Sequence, residues 1–245
     1  MSDTQNPGAP TIGQVALIGL FVTALVTAQV TASKLLAFEL PFSLPVTGST
    51  LVLPGAALAY ALTFLASDCY AELYGRRAAQ IVVNVAFGMN FVLLALVWST
   101  IAAPAVPGGT PESFRTVLGS STNIVIASML AYLVSQNWDV IVFHKIRDAT
   151  DGRALWLRNV GSTATSQLLD TIIFVTVGFL LAPRLLGLGS TYPVEVVLQL
   201  LVGQYVFKVF VAIVDTPFAY AIVALLRDRD GHNGTPGSVS RELSE

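Results

Sequence analysis

Two apolar runs, SSTNIVIASMLAYLVSQNWDVIVF (Ser120–Phe143) and VGSTATSQLLDTIIFVTVGFLLA (Val160–Ala182), decide the fold. Each is as long as the roughly 20 residues that cross the hydrocarbon of a bilayer. Between them lies one basic loop, HKIRDATDGRALWLRN (His144–Asn159). Both runs carry side chains that lipid does not tolerate: Gln136, Asn137 and Asp139 in the first, Gln167 and Asp170 in the second. A carboxylate at the centre of a span costs about 2.5–3.5 kcal/mol on insertion scales, so such groups face a bundle interior or a watery path and need a reason to be there. Gln136 and Asp139 are separated by three positions, as are Gln167 and Asp170, so each pair shares one helix face.

Composition agrees. Of 245 residues, 54% are hydrophobic and 11% charged, with mean hydropathy +0.70. A soluble domain carries about 25% charged residues, so the class is a polytopic membrane protein. The single cysteine, Cys69, excludes an intrachain disulfide and a cysteine-rich metal site. The two histidines, His144 and His232, do not form a zinc pair, and no metal or other cofactor is expected. The first twelve residues hold Asp3 and no basic residue, so the first apolar run is expected to stay as a span rather than act as a cleaved leader.

Read in order, residues 1–10 form a disordered lead, 11–226 one six-helix unit, and 227–245 a disordered polar tail. The fold class is an all-α membrane protein with six transmembrane helices and a short extracellular cap or hairpin after helix 1. The first span runs from Ile12 to about Ser33. Pro41, Pro45, Gly48 and Pro54 exclude a helix over Phe38–Pro54, where a short extended hairpin or an irregular loop is expected. Pro54 suits the first position of a second helix ending near Tyr70, and Leu73–Arg77 a tight basic turn. The third span covers Ala78 to Ala103, and Thr110-Pro111-Glu112 reads as the cap and first turn of a short helix. The sixth span, Val194 to Leu226, contains Gln199, Gln204, Lys208 and Asp215, with Pro217 as a kink.

The loops carrying Arg76 and Arg77, then Lys145, Arg147, Arg153 and Arg158, and the tail with Arg227, Arg229 and Arg241, lie on one side of such a bundle. The other side holds Lys34, Arg115 and Arg184. The excess of positive charge places both termini in the cytoplasm of a plasma-membrane protein, with Trp156 as an interfacial anchor.

The candidate substrate-binding residues are Asp170, Gln167, Gln136, Asp139, Lys208, Asp68 and Asp215. Lys208 in mid-membrane needs a counter-charge, from Asp215 or Asp170. Asn84, Asn90, Gln199 and the hydroxyls of Ser162, Thr163, Thr165 and Ser166 read as helix–helix glue. No phosphate loop, nucleophile elbow or zinc-protease motif is present, so no catalytic residue is assigned and an enzyme is not expected.

These polar positions carry a resemblance. LTFLASD (Leu62–Asp68) with Glu72–Gly75, AYLVSQ (Ala131–Gln136) with Asp139 and Phe143–Lys145, LWLRN (Leu155–Asn159), Gly161–Thr163, SQLLDT (Ser166–Thr171), YVFK (Tyr205–Lys208) and Asp215–Pro217 are similar to motifs of the queuosine precursor transporter family, also called vitamin-uptake-transporter-like. The similarity extends over about Gln14–Leu226. It implies an importer of 7-deazaguanines, such as 7-cyano-7-deazaguanine and 7-aminomethyl-7-deazaguanine, for salvage into modified tRNA. It also implies an architecture similar to six-helix energy-coupling-factor subunits, so the alternative is a substrate-binding subunit for a vitamin or nucleobase that needs an ATPase partner. The implied partners are a deazapurine base and the lipid bilayer, with no nucleic acid, and a homo-oligomer left open. For such a ligand Asp170 or Asp139 takes the N–H and amino edge. Gln136, Gln167 or Lys208 takes the carbonyl. Phe64, Tyr132, Trp138, Phe174 or Tyr205 offers a stacking face.

Overall fold

The computed structural model describes residues 10–44, 46–150 and 155–232. Most of the expected lead, Arg153, the side chain of Trp156 and the tail beyond 232 lie outside the described residues. Helix α1 (Ile12–Thr31) is followed by a two-stranded antiparallel hairpin, β1 (Leu35–Leu44) and β2 (Gly48–Pro54). Then come α2 (Ala57–Tyr74), α3 (Arg76–Ala102), a short α4 (Pro111–Gly119) and α5 (Ser121–Ala149). Helix α6 (Leu155–Thr176) passes through one π-helical turn (Val177–Leu181) into α7 (Ala182–Leu186), and α8 (Val194–His232) closes the bundle.

Among the described residues five stretches are long and apolar enough to cross a membrane: Ile12–Thr31, Arg76–Ala102, Pro111–Ala149, Val160–Leu186 and Val194–Leu226. Helix α2, with Asp68 and Glu72, is less apolar; it packs against α1, α3 and α8, so little of it needs to face lipid. Helix α3 shows how the period sorts faces. Ile81, Val85, Met89, Val92 and Leu96 are exposed along one stripe, while Ala79, Ala86, Asn90 and Val97 are buried on the other. Small residues let the backbones approach: Ala28, Ala32, Ala56, Ala127 and Ala131 lie in one core with Phe174, Phe179 and Leu200.

The hairpin is tied to the bundle by backbone contact. A Cβ on Gly203 of α8 would run into the carbonyl oxygen of Val52 in β2. One on Gly55 would strike the carbonyl of Thr31, and the Gly55 amide donates to Lys34 O at 2.6 Å. Two glycines thus make room for a strand that roofs the bundle.

Several boundaries differ from the sequence reading. Pro54 is not the first residue of α2. It ends β2 opposite Leu35, a strand terminus where its missing N–H costs no interior rung. The Thr110 side chain makes no capping bond; α4 begins on Pro111, whose fixed φ suits a first turn. Helices α5 and α6 extend past the apolar runs into the basic segment, to Ala149 and from Leu155, because a helix satisfies its own backbone wherever lipid ends. Helix α8 continues through Pro217 and past Arg227, where the tail was expected to begin, to His232.

Thr11 Oγ1 is 3.1 Å from Tyr74 Oη, so the start of α1 meets the end of α2. Leu226 of α8 reaches Gly13 at the same end, where Arg76, Arg77, Lys145 and Arg147 are exposed. The hairpin, α4 and α7 occupy the other. We call these the basic end and the hairpin end.

Candidate functional site

Helices α2, α5, α6 and α8 surround a small central cavity of about 40 Å³. Pro54 and Ala56 close it from the hairpin side. Its polar lining comes from Asp170, Lys208, Gln204, Tyr60 and Ser128, and its aromatic lining from Phe64, Phe174 and Phe207. Alanines 57, 61 and 131 leave the space that larger side chains would fill.

Its chemical centre is one ion pair. Lys208 Nζ donates to Asp170 Oδ2 at 2.5 Å, with side chains 7% and 16% exposed. Lys208 thus takes Asp170, one of the two partners anticipated for it. Asp215 follows Lys208 by seven positions, two turns further toward the basic end of α8, while Asp170 reaches across from the facing helix. Ser135 Oγ of α5 lies 3.5 Å from Asp170 Oδ1. A buried pair of this kind is costly to assemble and costlier to break, because removing one partner strands a charge. Gln204 lies one helical turn before Lys208, and its Oε1 is buried with no hydrogen-bond partner. Buried acceptors are almost always satisfied, so an unmet amide oxygen beside an ion pair suits a ligand N–H.

On the basic side a second cavity, the vestibule, opens with a volume of about 740 Å³. Asp68, Gln167, Thr163, Tyr205 and Asp215 line it, and Phe64 and Lys208 line both cavities. Asp68 is exposed and Asp215 half-buried, with Asp215 Oδ2 unpartnered.

The structure therefore brings Asp170 and Lys208 together, and collects Gln167, Asp68 and Asp215 one level below them. Asp139 points at α6 instead, where Ser166 Oγ donates to its Oδ1 at 3.3 Å. Gln136 is exposed and lines neither cavity, although it shares a helix face with Asp139 by spacing. Among the aromatic candidates Phe64, Phe174 and Tyr205 reach the cavities. Tyr132 stacks on Phe87 with centroids 4.5 Å apart, and its hydroxyl joins Gln80 and Asn84. Trp138 is 43% exposed and its Nε1 donates to Thr165 Oγ1 at 3.3 Å. Asn84 therefore acts as glue between α3 and α5. Tyr60 and Ser128 line the central cavity and escape reading by type, whereas Gln204 reads as part of the polar face of the last span but not as a substrate-binding residue. The four-residue step from Gln204 to Lys208 carries the signal for Gln204; Tyr60 and Ser128 have none.

The family described as "Putative vitamin uptake transporter" matches residues 54–222, which contain every residue of both cavities and leave out α1 and β1. The chain is 34% identical over 164 residues to the "Probable queuosine precursor transporter" of Bacillus subtilis (strain 168), covering 66% of this chain and 68% of that protein. It is 26% identical over 185 residues to the protein of the same description from Haemophilus influenzae, covering 74% and 70%. It is 26% identical over 161 residues to the "Queuosine precursor transporter" of Escherichia coli (strain K12), covering 64% and 66%. No solved structure matches it.

Proposed function

Since the chain belongs to the vitamin uptake transporter family, we propose that it imports a queuosine precursor, a 7-deazaguanine base such as 7-cyano-7-deazaguanine or 7-aminomethyl-7-deazaguanine. The observation that carries this reading is the buried Asp170–Lys208 pair beside the unpartnered Gln204 Oε1. A guanine-type edge places a carbonyl next to a ring N–H and an amino group. An ammonium beside a carboxylate is its complement: Lys208 donates to the carbonyl and Asp170 accepts from the two N–H groups. Gln204 Oε1 accepts a further N–H, and Phe64 or Phe174 offers a stacking surface. The base inserts between two charges that already compensate each other, so neither is left bare when it departs.

Transport rather than storage is supported by the second cavity. Lys208 and Phe64 stand between the enclosed chamber and the open vestibule, so their displacement joins the two into a path toward the basic end. The excess of exposed Arg and Lys at that end supports a cytoplasmic face in the cell membrane, with both termini inside.

The test is import in a bacterium that neither makes nor imports 7-deazaguanines. It carries this gene and is fed each precursor at low concentration, and the modified base is then measured in its tRNA. Modified tRNA that depends on the protein is the expected result, and it also excludes the need for a dedicated ATPase partner. No modified tRNA, with the protein shown in the membrane and able to bind the base when purified, would point to the energy-coupling-factor alternative. No binding either would remove the substrate assignment.

A further inference from the structure

A third cavity of about 400 Å³ lies at the hairpin end, between Ser33 and Lys34, the start of α5 and the loop before α8. We infer that it is a second binding subsite for the same flat, amide-bearing heterocycle, the first that the substrate meets from the hairpin side. The inference rests on the substrate class proposed above and adds a site to it.

The argument begins with Asn123. It lines this cavity, yet is only 2% exposed. Its Nδ2 donates to the carbonyl of Leu188 at 2.6 Å. A carbonyl accepts and never donates, so this bond dictates which way the amide faces. Oδ1 is therefore the free atom, and it is buried without a partner. A buried acceptor held in one orientation with nothing to accept is the signature of a site awaiting a donor. Around it stand complementary groups. Lys34 is exposed and carries an ammonium suited to a ligand carbonyl, and Ser190 adds a hydroxyl. Tyr192 spends its hydroxyl on the Ser33 carbonyl at 3.3 Å, which leaves the ring to pack against a ligand. An acceptor, a cation and an aromatic surface repeat the recognition set of the central cavity with different residues.

The two cavities are distinct compartments. Phe179 lines one and Phe174 the other, and the two rings meet edge to face with centroids 5.9 Å apart. This partition is built on the π-helical turn Val177–Leu181, a geometry found most often at functional positions. Gly178 in that turn lies so close to α5 that a Cβ would sit 3.2 Å from the Ala127 methyl. A substrate held at Asn123 therefore waits one aromatic layer above the ion pair.

The test uses the full-length protein reconstituted in lipid vesicles, with 7-cyano-7-deazaguanine as the probe. Asn123→Leu should raise the half-saturating concentration for uptake about tenfold, the size of one lost hydrogen bond to a desolvated group, with a smaller effect on the maximal rate. Asp170→Asn protein should still bind the probe weakly, and adding Asn123→Leu should remove that residual binding. A second measurement does not depend on Asn123 variants folding. Ser190→Cys, with the buried Cys69 left in place, should react with a membrane-impermeant maleimide, and the probe should slow that reaction in the Asp170→Asn background. An unchanged half-saturating concentration, or labelling that the probe leaves unchanged, would overturn the subsite while uptake by the parent protein stands. A parent protein that neither binds nor transports the probe would instead sink the substrate class on which both readings rest.

Discussion

The central cavity and the vestibule share Phe64 and Lys208 but handle charge in opposite ways. In the enclosed chamber the carboxylate of Asp170 is matched by Lys208 at 2.5 Å. In the wide vestibule Asp68 is exposed, while Asp215 is half-buried with its Oδ2 out of solvent and unpartnered, and no cation among the described residues pairs with either. The difference follows from solvent. A charge removed from water is costly unless paired, whereas the exposed Asp68 at the open vestibule is stabilised by water itself. In the proposed site, pairing marks the level at which a ligand's own hydrogen bonds replace those of the protein. In the proposed import path the vestibule serves passage, and its negative charge acts through the field it sets up.

The largest effect expected from this contrast is at the pair. Asp170→Asn should lower uptake by about 100-fold or more, because it replaces one of the two oxygens that accept ligand N–H groups by an NH2 donor and strands Lys208; breaking such a buried pair costs roughly 3–5 kcal/mol of stability. Its thermal stability in detergent should fall as well. The double variant Asp170→Asn/Lys208→Gln should recover stability without recovering uptake. A double variant that transports normally would place recognition elsewhere. Next in size is Gln204→Leu, which deletes the unpartnered acceptor. It should raise the half-saturating concentration about tenfold and leave stability equal or improved, since a buried polar atom disappears. Concentration dependence of uptake together with a melting curve checks both halves.

In the vestibule, Asp68→Asn and Asp215→Asn should each change uptake by less than about threefold, and the change should shrink as salt screens the field. A tenfold loss at either position would erase the distinction drawn here and make the vestibule part of recognition. The smallest effect belongs to Gln136→Ala. Its side chain is exposed and lines no described cavity, so uptake should stay within about twofold of the parent, inside the range of ordinary surface substitutions.

The contrast between Gln136 and Gln204 shows what was legible. Both are amides in apolar spans, and both sit near a charged residue on the same helix face, Asp139 for one and Lys208 for the other. Sequence spacing treats them alike. In the bundle that face of α5 turns Asp139 toward Ser166 while Gln136 stays outside, whereas Gln204 is drawn in beneath the Val52 backbone that packs on Gly203. Lys208 illustrates the converse. That it needs a partner follows from the cost of a bare ammonium in lipid, and that the partner is Asp170 follows from how α6 and α8 pack.

From the amino-acid order alone come the membrane class, the apolar runs, the uneven basic loops and the list of groups too polar for lipid. These depend on transfer free energies and on a helical period of 3.6 residues, both local properties of the chain. Tertiary structure decided which of those groups meet. It turned the Phe38–Pro54 region into a hairpin that ends on Pro54 and roofs the cavity, and it set Tyr60 and Ser128 opposite Asp170. It also divided one polar interior into separate compartments at Phe64 and at Phe174–Phe179. The physical reason is that a helix's own period tells which side chains share a face, while the facing helix is chosen by close backbone contact at small residues such as Ala56, Ala127 and Gly203, far from the groups they bring together.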